Sequence, residues 1–131
     1  MKRTPLKRNK PLKAKTRIKP RSAKKAAYTA STEGQRAREY IAAVKTLPCC
    51  ICGKAGPSDA HHTICGRYGS RKTSDFDAVP LCKVCHQTGP NVIHNGKRSW
   101  VERNGLDTDY IAETRRKVAL VTGCGPGKNT C

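Results

Sequence analysis

Two cysteine pairs, Cys49-x-x-Cys52 and Cys82-x-x-Cys85, constrain this chain more than any other feature. A CxxC turn puts two thiolates on one ion, and a structural zinc site takes four tetrahedral nitrogen or sulfur ligands. Cys49, Cys52, Cys82 and Cys85 therefore predict a closed zinc site that draws together two segments separated by 29 residues. The chain needs such a staple: with one Trp, one Phe and four Tyr, its core is thin for an independent fold. Cys50 sits inside the first knuckle, but Cys50-Ile51-Cys52 has the wrong spacing. Cys65, Cys124 and Cys131 have no partner spacing and are read as bystanders. Eight cysteines would also suit a secreted disulfide scaffold. Ligand spacing favours metal, and no apolar segment follows the basic N-terminus as a signal sequence would require.

Charge is spread unevenly. Residues 1–28 hold twelve Lys or Arg and no acid, whereas the remainder holds fifteen basic and nine acidic residues; together these give the formal +18. A polycation implies a polyanionic partner, and nucleic acid is the most economical one. Lys2, Arg3, Lys7, Arg8, Lys10 and Lys13 are the expected phosphate contacts of the arm. Prolines recur in Thr4-Pro5-Leu6-Lys7-Arg8, Lys10-Pro11-Leu12-Lys13 and Arg17-Ile18-Lys19-Pro20, which blocks helix and predicts disorder. No apolar run is long enough to span a bilayer, so a soluble cytoplasmic protein with no membrane partner is expected.

The arm is assigned to residues 1–30, an α+β domain to 31–122 and a flexible tail to 123–131. Order is expected from Ser31. Thr32-x-x-Gln35 resembles a capping box, and Ala37, Tyr40, Ile41, Val44 and Leu47 recur at helical spacing until Pro48. A short strand is expected over Ala60–Ile64, a returning strand over Asp77–Leu81 and a short helix from Cys82. After an irregular stretch, a helix should run through Trp100 and Val101 to Gly105. Asp107 or Thr108 should cap a last helix with Ile111, Thr114 and Val118 on one face.

Three histidines lie between and beside the knuckles: His61, His62 and His86. Neighbouring residues on a strand point to opposite faces, so His61 and His62 cannot easily share an ion. One can hold a metal while the other acts as a general base, because imidazole titrates near neutrality. His86 can return to the same metal. Two other readings stay open: His61 or His86 completes the zinc site in place of a cysteine, or His62 is only a surface residue.

The order Cys-x-x-Cys, Ala60-His61-His62, Asp77-Ala78-Val79-Pro80-Leu81-Cys82 and Cys85-His86 resembles the HNH, or ββα-metal, nuclease family. With Cys85-His86-Gln87-Thr88-Gly89, Val92-Ile93-His94-Asn95-Gly96 and Trp100, it is most similar to the phage recombination-enhancement (Ref-type) group of RecA-dependent HNH endonucleases. The resemblance covers residues 47–105. It implies a zinc-stabilised ββα-metal domain with flanking helices, and a phosphodiester hydrolase acting in phage or prophage recombination within a bacterial cytoplasm. By the same resemblance His61 and His86 hold a catalytic Mg²⁺ or Mn²⁺, and His94 is a third ligand reached through a longer insertion. His62 becomes the base that activates water, and Asp77 stands where the family usually has the Asn that orients it. RecA filaments would be a partner. Arg67, Arg71, Lys72, Lys97 and Arg98 flank the site in sequence and are expected to hold the DNA backbone.

Composition also permits a non-catalytic zinc-binding nucleic-acid protein and an RNA- or ribosome-associated zinc ribbon. The histidines favour the nuclease, because a site filled by four cysteines has no use for them.

Overall fold

The computed structural model describes residues 21–123. Lys2, Arg3, Lys7, Arg8, Lys10 and Lys13 of the arm, and Cys124 and Cys131 of the tail, lie outside the described residues.

Helical structure begins earlier than the expected boundary at Ser31. α1 spans Ala23–Ala30, within the segment assigned to the arm. Its sequence, Ala-Lys-Lys-Ala-Ala-Tyr-Thr-Ala, follows the last proline of the arm and is rich in strong helix formers. Ser22 caps it by accepting from the Lys25 N–H at 3.2 Å. No residue of α1 is buried. α2, Thr32–Thr46, starts at the same corner, and Ser31 rather than Thr32 is its cap. The Ser31 N–H donates back to the Ala27 and Tyr28 carbonyls while its hydroxyl oxygen accepts from the Gly34 N–H at 3.1 Å. One serine thus closes one helix and opens the next. Gly34 lets the two helices meet, since a Cβ there would collide with the Tyr28 carbonyl.

α2 buries Ala37, Ala43 and Val44, and Leu47 just beyond it is also buried. Ala43, Val44 and Leu47 pack on Val118 of α4, Ile111–Thr122, whose inner face also carries the buried Thr114. Between the two helices in sequence lie two strands. β1, Asp59–His62, pairs antiparallel with β2, Ala78–Leu81, in the register His61 to Val79 and His62 to Ala78. All four residues of β2 are buried. β1 begins and ends earlier than expected, and Asp75–Asp77 forms a tight 3₁₀ turn ahead of β2 instead of joining it.

A second packing centre surrounds the knuckles and comprises Cys49, Leu81, Cys82, Ile93 and Trp100. The Cys50 N–H donates to the Pro80 carbonyl at 2.9 Å, which fastens the first knuckle to β2. After the second knuckle, Val84–Thr88 makes one wide helical turn that carries His86, and Ile93–Asn95 makes a 3₁₀ turn that carries His94. α3, Lys97–Asn104, ends at Gly105, whose φ of 78° is the left-handed conformation that glycine tolerates. A 3₁₀ turn over Asp107–Tyr110 leads into α4. Neither Asp107 nor Thr108 caps α4: Asp107 is turned inward and fully buried. The described residues form a small α+β unit of four α-helices and a two-stranded sheet. No helix among them is long and apolar enough to cross a membrane.

Candidate metal centre

Two separate groups of side chains converge. Cys49, Cys52, Cys82 and Cys85 form one, and His61, His86 and His94 form the other; within each, the ligand atoms lie within 4.8 Å of one another. No histidine is needed to complete the cysteine set.

The Cys52 and Cys82 sulfurs are 3.6 Å apart. A disulfide would bring them to about 2.0 Å, whereas two thiolates on a tetrahedral zinc with Zn–S of about 2.3 Å stand roughly 3.8 Å apart. The four cysteines can hold a metal such as zinc. Backbone amides support them: the Cys85 N–H points at the Cys82 sulfur at 3.5 Å. Burial would raise the Cys49 thiol, but the backbone N–H groups of Cys52, Cys82 and Ile51 outweigh it and bring its pKa down to about 7. Cys50 behaves oppositely, since burial pushes it up to about 12. It stays a thiol and packs against the core.

The histidine group is supported by carboxylates. His61 is 1% exposed, and its Nε2 lies 3.0 Å from the Asp107 carboxylate. Burial would raise the Asp107 carboxyl, but the hydrogen bonds from His61 and from the Ile64 and Cys65 amides hold it well below the usual carboxylate range. Asp107 is therefore ionised and fixes Nε2 as the protonated nitrogen. The other nitrogen, His61 Nδ1, is buried and has no hydrogen-bond partner. His86 repeats the pattern in mirror form: Nδ1 lies 3.0 Å from Asp59, and Nε2 lies 3.1 Å from Nε2 of His94. Two imidazole nitrogens on one tetrahedral ion with Zn–N of about 2.0–2.1 Å stand roughly 3.3 Å apart. The three rings stand 4.9–5.2 Å apart by their centroids. Burial and the neighbouring His61 and His86 push the His94 pKa down, toward the neutral form that ligates.

An orphaned buried nitrogen, two facing nitrogens and a carboxylate behind each of two rings are the donor arrangement of a histidine metal site. His94 is exposed, so the trio opens to solvent on that side. Neutral imidazoles suit zinc, nickel, iron or copper, while Mg²⁺ and Mn²⁺ prefer oxygen donors, so the expected Mg²⁺ or Mn²⁺ is the poorer fit.

His62 points away from the trio, as strand alternation requires. Its Nε2 lies 2.6 Å from Asp75, which also pairs with Lys72 at 2.9 Å. Burial would raise the Asp75 carboxyl, but Lys72 and His62 lower it. Nε2 of His62 is thus the donor and Nδ1 keeps its lone pair. The pair faces a cleft of about 370 Å³ walled by α2, with Ala37, Ile41 and Ala42 as apolar lining and Arg38, Lys45 and Lys72 as cations.

Asp77 does not meet His62. The 3₁₀ turn aims it at Arg115 of α4, and Asp75, two residues earlier, takes the position at the histidine. Among the flanking cations, Lys97 donates to the Ile64 carbonyl at 3.3 Å and Arg98 pairs with Glu102. Arg67 and Arg71 are exposed and make no ion pair among the described residues. Of the chain's nine acids, three (Asp59, Asp75 and Asp107) each face a different histidine. Asp59 falls just before the expected strand, and it shares a face with His61 only because β1 begins one residue earlier.

No curated protein and no solved structure matches the chain. Residues 7–123 match the model of the family described as "Protein of unknown function (DUF968)", and the chain belongs to that family.

Proposed function

We propose that this chain is a metal-dependent DNA endonuclease of the HNH type, with the four cysteines holding a structural zinc. The observation that carries the proposal is the trio His61, His86 and His94, which stands apart from a complete cysteine set and leaves a buried ring nitrogen without a partner. A module that only needed zinc for folding would gain nothing from such a trio. The chain order also supports it: an antiparallel hairpin bearing His61 and His62 is followed by helical turns bearing His86 and His94. Gly89-Pro90 separates the two turns.

A divalent ion held by the three imidazoles would supply positive charge for a phosphodiester and its leaving oxygen. The protein's own residues do the rest. Because His62 lies on the other face of β1 from the trio, the scissile phosphodiester would have to sit at the end of the strand, where His61 and His62 are adjacent. There His62 would take a proton from water at Nδ1, while Asp75 holds the ring through Nε2–H and stabilises the imidazolium that forms. Arg38, Lys45 and Lys72 along the cleft bind the phosphates of the strand on which water acts. The water oxygen bonds to phosphorus as the P–O3′ bond breaks in line, leaving a 5′-phosphate, and the departing 3′-oxygen takes a proton from solvent to become the 3′-hydroxyl. The setting we propose is phage or prophage recombination, with RecA filaments as a partner.

The test is cleavage of supercoiled and single-stranded DNA, with and without a RecA filament, in Zn²⁺, Ni²⁺, Mn²⁺ or Mg²⁺. Wild-type protein should cut in at least one ion, and His62→Ala should not, with zinc content and DNA affinity retained. Absence of cutting under every condition would replace this proposal with a non-catalytic zinc-binding nucleic-acid protein.

A further inference from the structure

The loop between β1 and the Asp75 turn is clamped at its base and bare at its tip. At the base, Asp107 accepts from the Ile64 and Cys65 amides at 2.6 and 3.1 Å, and Lys97 donates to the Ile64 carbonyl. On the returning side, the Thr73 hydroxyl donates to the Thr63 carbonyl at 3.1 Å. Ends held this close make a compact surface loop whose tip is free to serve as a contact. Gly66 and Gly69, with φ of 77° and 59°, bracket Arg67 and Tyr68 and turn them outward. Tyr68 is 90% exposed, the most exposed of the large hydrophobic side chains among the described residues. An aromatic ring left in water, next in sequence to the exposed Arg67 and three residues before the exposed Arg71, fits one kind of partner, which offers both phosphates and flat apolar faces.

We propose that this loop is a stacking contact for single-stranded nucleic acid, in which Tyr68 lies on an unpaired base while Arg67 and Arg71 hold the flanking phosphates. Intact duplex buries its base faces against one another and offers Tyr68 only its edges and backbone. The protein therefore prefers strands with unpaired bases over closed duplex of the same length. This proposal rests on the nucleic-acid part of the proposed function and needs no cleavage.

The test is binding of the full chain, by fluorescence anisotropy, to a single-stranded oligonucleotide in DNA and RNA form, to the matching blunt duplex and to anionic vesicles. Tyr68→Ala should weaken single-strand binding by roughly 5- to 100-fold, the worth of one base–aromatic stack, and leave duplex binding near wild type. Tyr68→Trp should restore it, with Trp emission quenched by the single strand. Equal loss on duplex and single strand, no loss on either, or a loss confined to vesicles would overturn the proposal. If wild type never cuts yet Tyr68→Ala loses single-strand binding selectively, the nuclease proposal fails and this one stands.

Discussion

The four-cysteine group and the three-histidine group both gather metal-ligating atoms within 4.8 Å, yet they are supported in different ways. The cysteines sit in two tight turns whose own backbone amides point at the sulfurs, and they join β2 to the segment after α2. Ligands and fold are one object there. The histidines come from β1 and two helical turns, and carboxylates distant in sequence hold their rings: Asp107 lies 46 residues from His61 and Asp59 lies 27 from His86. One side of that group is exposed. The first arrangement suits a staple and the second a reaction centre, because ring orientation and donor strength there can be altered without dismantling the fold.

The largest expected effect should break that comparison at its rigid end. Cys82→Ser should unfold the domain, since a structural zinc contributes about 10–16 kcal/mol and a typical domain has only about 5–15 kcal/mol of net stability. Circular dichroism during chelator titration should show the wild type following the same course; retention of native ellipticity after complete zinc removal would refute the staple. Next, His62→Ala should reduce cleavage by about 10²- to 10⁴-fold, the usual worth of a general base, with melting unchanged. A variant that cuts normally would move the base elsewhere.

Asp107→Asn sharpens the comparison on the histidine side. It should weaken metal binding at the trio by about 10- to 100-fold and leave the cysteine site loaded, as isothermal titration against both sites would show. It should also cost roughly 1–3 kcal/mol of stability, because the buried Ile64 and Cys65 amides lose a charged acceptor. The smallest effects separate two neighbouring acids. Asp75→Asn should slow cleavage by about ten-fold through loss of ring orientation. Asp77→Asn should change stability by about 0–1 kcal/mol, as expected for a half-exposed pair with Arg115, and leave cleavage alone. The reverse ranking of the two in a rate assay would return Asp77 to the site.

These neighbours show where sequence reasoning succeeded and where it stopped. The cysteine group was legible because ligand spacing is local, and the periodicity of Ala37, Val44 and Leu47 marked the α2 core for the same reason. That His61 and His62 face apart follows from strand geometry alone. Choosing Asp75 over Asp77 was not legible, because it depends on a 3₁₀ turn that redirects both side chains. Asp107 looked like a helix cap, and only the packing of α4 and the turn before it brings that residue beneath His61. Arg38 and Lys45 carry no signal in the sequence of α2, and line a cleft because the Asp75 turn lies beside that helix. α1 was hidden by an arm whose prolines stop just before it. Local rules carried the ligands; the groups that orient them came from long-range contacts.

The central claim is that the histidine trio is a metal site of its own, separable from the zinc staple. Metal content per folded chain, measured by elemental analysis after dialysis against zinc, tests it most directly. Wild type should hold two ions, while His94→Ala, altered at the exposed edge of the trio, should hold one and keep wild-type circular dichroism. A wild-type chain that holds a single ion, with His94→Ala holding the same, would contradict the account.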